Sequence, residues 1–342
     1  MPELPEVEVV RRGLAAHCVG ARVGAVTVAD SRSLRRHTEG TPDFCARLTG
    51  LRIADIARRG KYLWVLFHAQ PHIHAQQAAS LNSVADPADT RLLEDFALVI
   101  HLGMSGQVLL KEGPMPAEKH QKIVLKLEDA TDESGHTSPL DMRFVDQRIF
   151  GGMFLSPLQA VTGTQGQPLP GASMSVLGLP LIPEAVAHIA RDPLDPHFDS
   201  ADFRRRMLST STGIKKLLLD QSAISGVGNI YADEALWRAK LHYAKPARTI
   251  TPQATRELVK ACQEVMNDAL TQGGTSFDAL YVNVNGESGY FDRSLKAYGQ
   301  AGHPCCRCLE AGRTSLMVRE PFGGRSSYRC PYCQRKPRGV QR

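Results

Sequence analysis

The first stretch of the chain alternates apolar and polar positions with a helical period. Val7, Val10 and Leu14 share one face while Arg11 and Arg12 lie off it, which predicts an amphipathic helix over residues 5–16. Pro5 at the first helical position and Glu6 in the first turn suit its start. The pattern then shortens to β-type runs at Ala25–Val28, Leu51–Ile56, Tyr62–Phe67, Leu98–His101, Gln107–Leu110, Ile123–Leu127 and Met142–Val145. Short strands separated by Gly-rich turns after one leading helix predict a β-sandwich rather than βαβ units. Between His68 and Glu94 the period is lost in a run of Ala, Gln, His and Asp, read as a flexible loop inserted between two strands. Its His68, His72 and His74 are metal-capable, but a loop tip is the simpler reading. A smaller polar insertion spans Ala130–Pro139, and residues 156–200, rich in Pro and Gly, read as a connection between domains. From Ser200 the period is helical again. Helices are predicted over Ala201–Ser209, Lys215–Asp220 and Ile230–Ala239, the last entered through Gly226-Val227-Gly228-Asn229. A longer one is capped by Thr251 with Pro252 at its first position, runs to about Gln272, and buries Leu258, Cys262, Val265 and Ala269. The fold class expected is α+β and multidomain, with no internal repeats.

Composition adds little to this except in its distribution. At 342 residues the chain is long enough for two or more domains with their own cores. It has no run of 18 apolar residues and no signal-peptide pattern, so an intracellular, cytoplasmic protein without a membrane segment is expected. The net charge of +6 is concentrated at one end. Nine Lys or Arg and only two acids lie between Cys305 and Arg342, so a basic block surrounds a compact module, as suits a polyanionic partner. Residues 337–342 read as a solvated basic tail.

Five of the eight cysteines crowd into that same end. Cys305-x2-Cys308 and Cys330-x2-Cys333 have the spacing of two knuckles that together hold one tetrahedral Zn2+, with redox disulfides as the alternative. Four thiolates leave no open position for substrate, so the ion would be structural. Cys306 is a spare, since only one residue separates it from Cys308. The module would fix a short hairpin carrying Arg325, whose guanidinium suits a phosphate.

The chain's opening, Met1-Pro2-Glu3-Leu4-Pro5-Glu6, carries different chemistry. Removal of Met1 would leave Pro2 with a secondary amine, and such an amine attacking a sugar carbon gives an iminium, a cationic electron sink that needs no further proton. An α-amino group titrates near ~8 against about 10.4 for lysine, so roughly 300 times more of it is free at neutral pH. Glu3 and Glu6 are within reach for proton transfer. Three further features stand out. Gly226 to Asn229 precedes a helix in the manner of an anion-binding N-terminus. Lys61 follows Arg58-Arg59-Gly60 at the entry to a strand. Met104, in His101-Leu102-Gly103-Met104-Ser105-Gly106, sits on a glycine turn where it would be exposed as a wedge between bases, and Arg148 and Phe150 make a second such element.

Taken together, these stretches resemble the bacterial formamidopyrimidine-DNA glycosylase (MutM) family. The likeness runs in order through Met1–Gly13, Arg59–Leu63, His101–Gly106, Ile214-Lys215, Gly226–Ala232, Gly289-Tyr290-Phe291, Tyr298-Gly299 and the four-cysteine module with Arg325. The resemblance implies an N-terminal catalytic β-sandwich over residues 2–155, with the insertion near 68–94, and a linker over 156–200. A helix–two-turn–helix DNA-binding domain over 201–299 and a zinc finger over 300–336 would follow, with double-stranded damaged DNA in the cleft between the domains. It implies a monomeric base-excision repair enzyme, associated with the nucleoid through DNA, that is both a glycosylase for oxidised purines and an abasic-site lyase. Pro2 would be the nucleophile and Glu3 the proton donor and acceptor. Lys61 would be a phosphate ligand and proposed acid, and Arg325 a phosphate clamp. His120, Lys215 and Asn229 would contact DNA. Met104, Arg148 and Phe150 would fill the space of the flipped nucleotide, Arg148 facing the orphaned base. The segment Gly274–Asp292 would cover the flipped purine. An endonuclease VIII-like activity on oxidised pyrimidines is the nearest alternative. The chain departs from the family at Ile149, where Asp-Pro-Arg-Arg-Phe-Gly has its second Arg, at Thr210, where a basic residue is common, and in a longer gap between the cysteine pairs.

Overall fold

The computed structural model describes residues 2–69, 93–113, 115–131, 136–275, 283–287 and 289–337. The insertion near 68–94 therefore lies almost wholly outside the described residues, as do residues 276–282 and 288 of the segment expected to cover a flipped base. The chain divides into two compact units. One comprises Met1–Pro2, Glu6–His188 and Ser276–Gly289; the other comprises Glu3–Pro5, Ile189–Thr275 and Tyr290–Arg342.

The first unit opens on helix α1 (Leu4–Cys18), of which residues from Glu6 onward belong to it. Strands β1 (Arg22–Val28), β2 (Arg52–Arg59), β3 (Tyr62–His68), β4 (Leu93–His101), β5 (Gly106–Glu112), β6 (Gln121–Thr131), β7 (Thr137–Asp146), β8 (Gly152–Ala160) and β9 (Leu181–Pro183) follow, with helix α2 (Gly40–Leu48) between β1 and β2. They form one antiparallel sheet in the order β5-β7-β6-β1-β2-β3-β4-β8-β9. The sheet is joined at its middle by a single residue pair, Arg22 with Arg52. The two halves on either side of that seam point alternate residues into one shared core. Val23, Leu125 and Phe144 enter it from one half and Ile56, Val65 and Ile100 from the other, as a sandwich does. Val7, Val10 and Leu14 of α1 close that core, and each fully buried side chain of this kind stabilises by roughly 1.5–3 kcal/mol.

Two parts of this unit were not anticipated. The nine residues of α2 bury Phe44 and Leu48 although their apolar stripe is only two residues long. The stretch from residue 156 onward, read above as a connection, supplies the end of β8 and all of β9, and its Ser173 and Met174 backbone N–H groups bond Arg58 O. Asp55, fully buried in β2, accepts from the N–H groups of Val176 and Leu177. These tertiary hydrogen bonds, rather than a periodic pattern, order a Pro- and Gly-rich segment.

The second unit contains α3 (Ser200–Leu208), α4 (Ile214–Leu219), α5 (Asn229–Arg238), α6 (Pro252–Thr271), α7 (Cys306–Glu310) and the hairpin β10 (Val318–Phe322) to β11 (Arg325–Arg329). Thr251 caps α6, accepting from Ala254 N with Pro252 at the first position, as the sequence predicts, and Asp199 caps α3. Between α4 and α5 the chain makes two turns stitched by one side chain: Gln221 donates to Leu219 O and Val227 O and accepts from Gly226 N. Leu258, Cys262, Val265 and Ala269 of α6 are fully buried. Among the described residues no helix is long and apolar enough to cross a membrane.

Candidate active site

The candidate residues are divided between the two units. In the first, Pro2 is buried at the head of the chain. One turn into α1, Glu8 receives both Arg11 Nη2 and Nε at 3.0 Å and Arg58 Nε at 2.9 Å. Glu8 and Arg58 are 1 % and 0 % exposed. Burial alone would raise the Glu8 carboxyl, but Arg58 and Arg11 outweigh it and hold it at about 2. Arg58 Nη1 also donates to Gly60 O at 3.0 Å, in the turn that presents Lys61. Lys61 is half-buried beside His101, whose ring lies 4.7 Å from that of Tyr62. Burial, then Arg36, Lys61 and Arg35, lower the His101 imidazole to about 4, so it is neutral at physiological pH. The sequence assigns His101 no role of its own. Its signal was a histidine adjoining a glycine turn, too common to single out.

The rim of the same unit carries the expected wedge residues. Met104 is 38 % and Phe150 53 % exposed, Arg148 is exposed, and His120 is exposed in the left-handed region with φ 66°. His120 and Arg148 bond the fully buried Asp146, and Met104 and Phe150 adjoin its other partners, Ser105 and Gly151. The Asp146 carboxylate accepts from Ser105 Oγ, Arg148 N and Gly151 N, and its own N–H donates to His120 O. His120, Met104, Arg148 and Phe150 thus lie on the turns that Asp146 ties together.

In the second unit the helix entrance from Gly226 to Asn229 does hold an anion, and the anion is Glu3. Its carboxylate, 3 % exposed, accepts from Gly228 N at 2.8 Å, Ile230 N at 3.0 Å and Tyr231 N at 3.3 Å. The N–H groups left over at a helix start and the positive end of its dipole favour a carboxylate there. Gly228 has to be glycine, since a Cβ would stand 2.2 Å from Glu3 Cδ. Gly226 has φ 82° and a Cβ there would stand 2.6 Å from Leu4 Cδ1.

The first turns of α5 also hold the hairpin. Asn229 Nδ2 donates to Ser326 O at 3.1 Å, and Asp233 accepts from Tyr328 N at 3.1 Å. Lys215, for which the resemblance implies a DNA backbone contact, lies inside this unit. It is 0 % exposed, and its ammonium is spent on Asp233 at 2.6 Å and on Ser326 O and Ser327 Oγ at 2.9 Å. Burial lowers the Lys215 ammonium and raises the Asp233 carboxyl to about 7, each opposed by the other. The pair therefore acts on the hairpin, and the hairpin delivers Arg325. That residue is exposed immediately after a Gly323-Gly324 turn whose two φ angles, 59° and 77°, only glycine adopts freely. Arg204 of α3, near Thr210 in the chain, donates to Ile250 O and Thr255 Oγ1.

Behind the hairpin the sulfurs of Cys305, Cys308, Cys330 and Cys333 all lie within 4.8 Å of one another. Separations of 4.0, 3.7 and 3.5 Å bracket the edge of about 3.8 Å that four Zn–S bonds of about 2.3 Å would set. The donor set fits a tetrahedral ion, and Cys306 is outside it. Trp237 of α5 donates Nε1 to Cys305 Sγ at 3.4 Å and packs with Ala297 and Met317 against the cluster.

Comparison with known proteins gives the same picture. The family model described as the formamidopyrimidine-DNA glycosylase N-terminal domain matches residues 1–153, and the one described as its H2TH domain matches residues 189–279. A formamidopyrimidine-DNA glycosylase of Rhodococcus jostii is 49% identical over 338 residues, covering 99% of this chain and 97% of the relative. One of Kineococcus radiotolerans is 49% identical with 99% of each chain covered. Among solved structures, a Lactococcus lactis FPG mutant bound to Fapy-dG-containing DNA has a TM-score of 0.71 at 27% identity, covering 98% of this chain and 100% of its own. MutM bound to carbocyclic 8-oxo-G-containing DNA has a TM-score of 0.70 at the same identity and coverage. By sequence along nearly its whole length and by fold, this chain belongs to the formamidopyrimidine-DNA glycosylase family.

Proposed function

We propose that this member of a DNA glycosylase family is bifunctional, excising oxidised purines such as 8-oxoguanine and formamidopyrimidines from duplex DNA and cleaving the resulting abasic site. One observation carries the reading: the head of the chain is buried and tied down. Chain ends are ordinarily solvated and frayed, yet Pro2 is buried and the next carboxylate is held by three backbone N–H groups. A protein that merely bound DNA would have no use for a fixed N-terminal amine.

After removal of Met1, the Pro2 nitrogen attacks C1′ of the damaged nucleotide and the glycosidic bond breaks, its electron pair and a proton leaving with the base. Glu3 relays that proton and the one that opens the sugar ring. The resulting iminium withdraws electrons, so C2′–H loses a proton and the 3′ phosphate departs by β-elimination; a second elimination expels the 5′ phosphate, and water releases the sugar remnant from Pro2. Lys61 and Arg325 hold phosphates, Asn229 and His120 add backbone contacts, and Met104, Arg148 and Phe150 fill the vacated stack. Cys305, Cys308, Cys330 and Cys333 hold one structural Zn2+, which when bound fixes the hairpin bearing Arg325.

The test is borohydride trapping on a duplex with 8-oxoguanine opposite cytosine, using protein whose N-terminus has been read by mass spectrometry. An adduct mapping to Pro2 is expected. None from Met-free, metal-loaded protein, on this lesion or on an abasic site, would reduce the fold to binding alone. Metal removal is a second check. A strong chelator should abolish DNA binding while leaving most of the helical circular dichroism, since α3 to α6 have their own core. Undiminished affinity would take the finger out of the interface.

A further inference from the structure

Arg35, just after a short turn at Ser31–Leu34, is an exposed arginine that spends its guanidinium on its own chain. Nη1 donates to Ile149 O at 2.7 Å and to Gly151 O at 3.2 Å, and Nη2 to Phe150 O at 2.6 Å. Three consecutive carbonyls are thereby drawn to one planar fork. On the opposite side of that loop the buried Asp146 takes the N–H groups of Arg148 and Gly151. Between the two clamps Ile149 sits at φ 58°, a left-handed conformation that a β-branched residue resists. The Met104 turn is locked into the same assembly. Ser105 Oγ bridges Asp146 and Arg148 N, and a Cβ on Gly103 would stand 2.3 Å from Gly151 N. Local preference at Ile149 does not explain this loop; the clamps do.

We propose that Arg35 is a specificity-determining positioning residue, which holds Arg148 and Phe150 preformed so that Arg148 can discriminate the base opposite the lesion. The proposal rests on the reading that Arg148 faces that base. A loop free to relax would let Arg148 follow any partner base, whereas a fixed guanidinium rewards only one whose acceptors lie in its plane. The competing role for an exposed arginine in a DNA-binding protein is a phosphate contact of its own. The two differ in what they change: losing a phosphate ligand weakens all duplexes alike and lowers the salt slope by about one, whereas losing a base reader relaxes specificity.

The experiment measures single-turnover excision of 8-oxoguanine opposite cytosine and opposite adenine, together with the salt dependence of affinity, for the wild type, Arg35→Met, Arg35→Lys, Arg148→Ala and Arg35→Met with Arg148→Ala. Arg35→Met should lower the cytosine-over-adenine preference about tenfold, within the range of one guanidinium–base pair, and leave the salt slope unchanged. Arg35→Lys should do the same, because one ammonium cannot bridge three carbonyls. Adding Arg35→Met to Arg148→Ala should cost nothing further in discrimination. Equal loss on both duplexes with a reduced slope, rescued by Lys, would make Arg35 a phosphate ligand and overturn the proposal, as would unchanged preference in Arg35→Met. If Arg148→Ala alone kept the full preference, the underlying assignment of Arg148 would be the part that failed. Thermal melts close to the wild type in Arg35→Lys exclude a folding defect as the cause.

Discussion

Replacing Pro2 by Gly is expected to leave DNA binding nearly intact and to slow strand cleavage by roughly a hundredfold or more, about 3 kcal/mol on the barrier. The substitution keeps an α-amine but converts it from secondary to primary. The adduct must then be protonated as an imine before it draws electrons as the proline iminium does unaided. It also removes the ring that ties the amine nitrogen to the side chain and so limits its orientation. Binding is spared because Glu3 remains seated on the N–H groups of Gly228, Ile230 and Tyr231, which do not depend on the residue before it. The measurement is cleavage of a pre-formed abasic site under single-turnover conditions, alongside affinity for a non-cleavable abasic analogue. Cleavage at the wild-type rate would refute the assignment of Pro2 as nucleophile. Equal losses in binding and cleavage would show instead that Pro2 shapes the interface.

Glu8→Gln should be the most destabilising single change in the first unit that leaves side-chain volume nearly constant. Glu8 and Arg58 meet at 2.9 Å with 1 % and 0 % exposed surface, and stripping a buried guanidinium of such a counter-charge costs about 3–5 kcal/mol. The effect depends on pH in a direction fixed by the sign of the shift. The folded carboxyl is held at about 2, below its ordinary 4.5. Its stabilisation is therefore fully present above 4.5 and fades as pH falls from there toward 2. The difference corresponds to roughly 3 kcal/mol. Urea unfolding at neutral pH and at pH 3 should show a large gap between wild type and variant at the first and a smaller one at the second. A gap under about 1 kcal/mol at neutral pH, or one that does not narrow in acid, would mean the Arg11, Arg12 and Arg58 cluster is stabilised by something other than the Glu8 charge. Because Arg58 also holds Gly60 O beside Lys61, cleavage by this variant should fall further than its DNA binding.

These two residues illustrate what a sequence can reveal. Pro2 was legible as a candidate nucleophile because its chemistry follows from where it stands in the chain, and the four cysteines because a tetrahedral ion imposes a local spacing. The amphipathic helices were legible for a similar reason: Val7, Val10 and Leu14, or Leu258, Cys262, Val265 and Ala269, repeat at a period that one helix alone sets. Glu8 was not legible. It is one of three glutamates in the first eight residues, and its partner Arg58 lies 50 positions away in a strand. Lys215 was assigned a DNA contact through the family resemblance alone, and nothing local in the sequence shows that Asp233 and the β10–β11 hairpin pack around its ammonium. The glycine-rich helix entrance was recognisable as an anion site, but that the anion is Glu3 required the fold. β8 and β9 escaped for lack of a long alternating run, their pairing being fixed by β4 and by each other.

What the sequence by itself determined, then, is whatever depends on local covalent order: a proline at residue 2, helical and strand periods, a four-thiolate ligand set, and the motif string that places the chain in its family. What only the tertiary structure decided is which charges face one another. It seats Glu3 on α5, holds Glu8 against Arg58, commits Lys215 to the hairpin, and clamps Ile149 between Arg35 and Asp146. The physical reason is that the energy of a charge or a hydrogen bond depends on burial and on partners a few ångströms away, and those distances are set by chain segments that the sequence separates by tens to hundreds of residues.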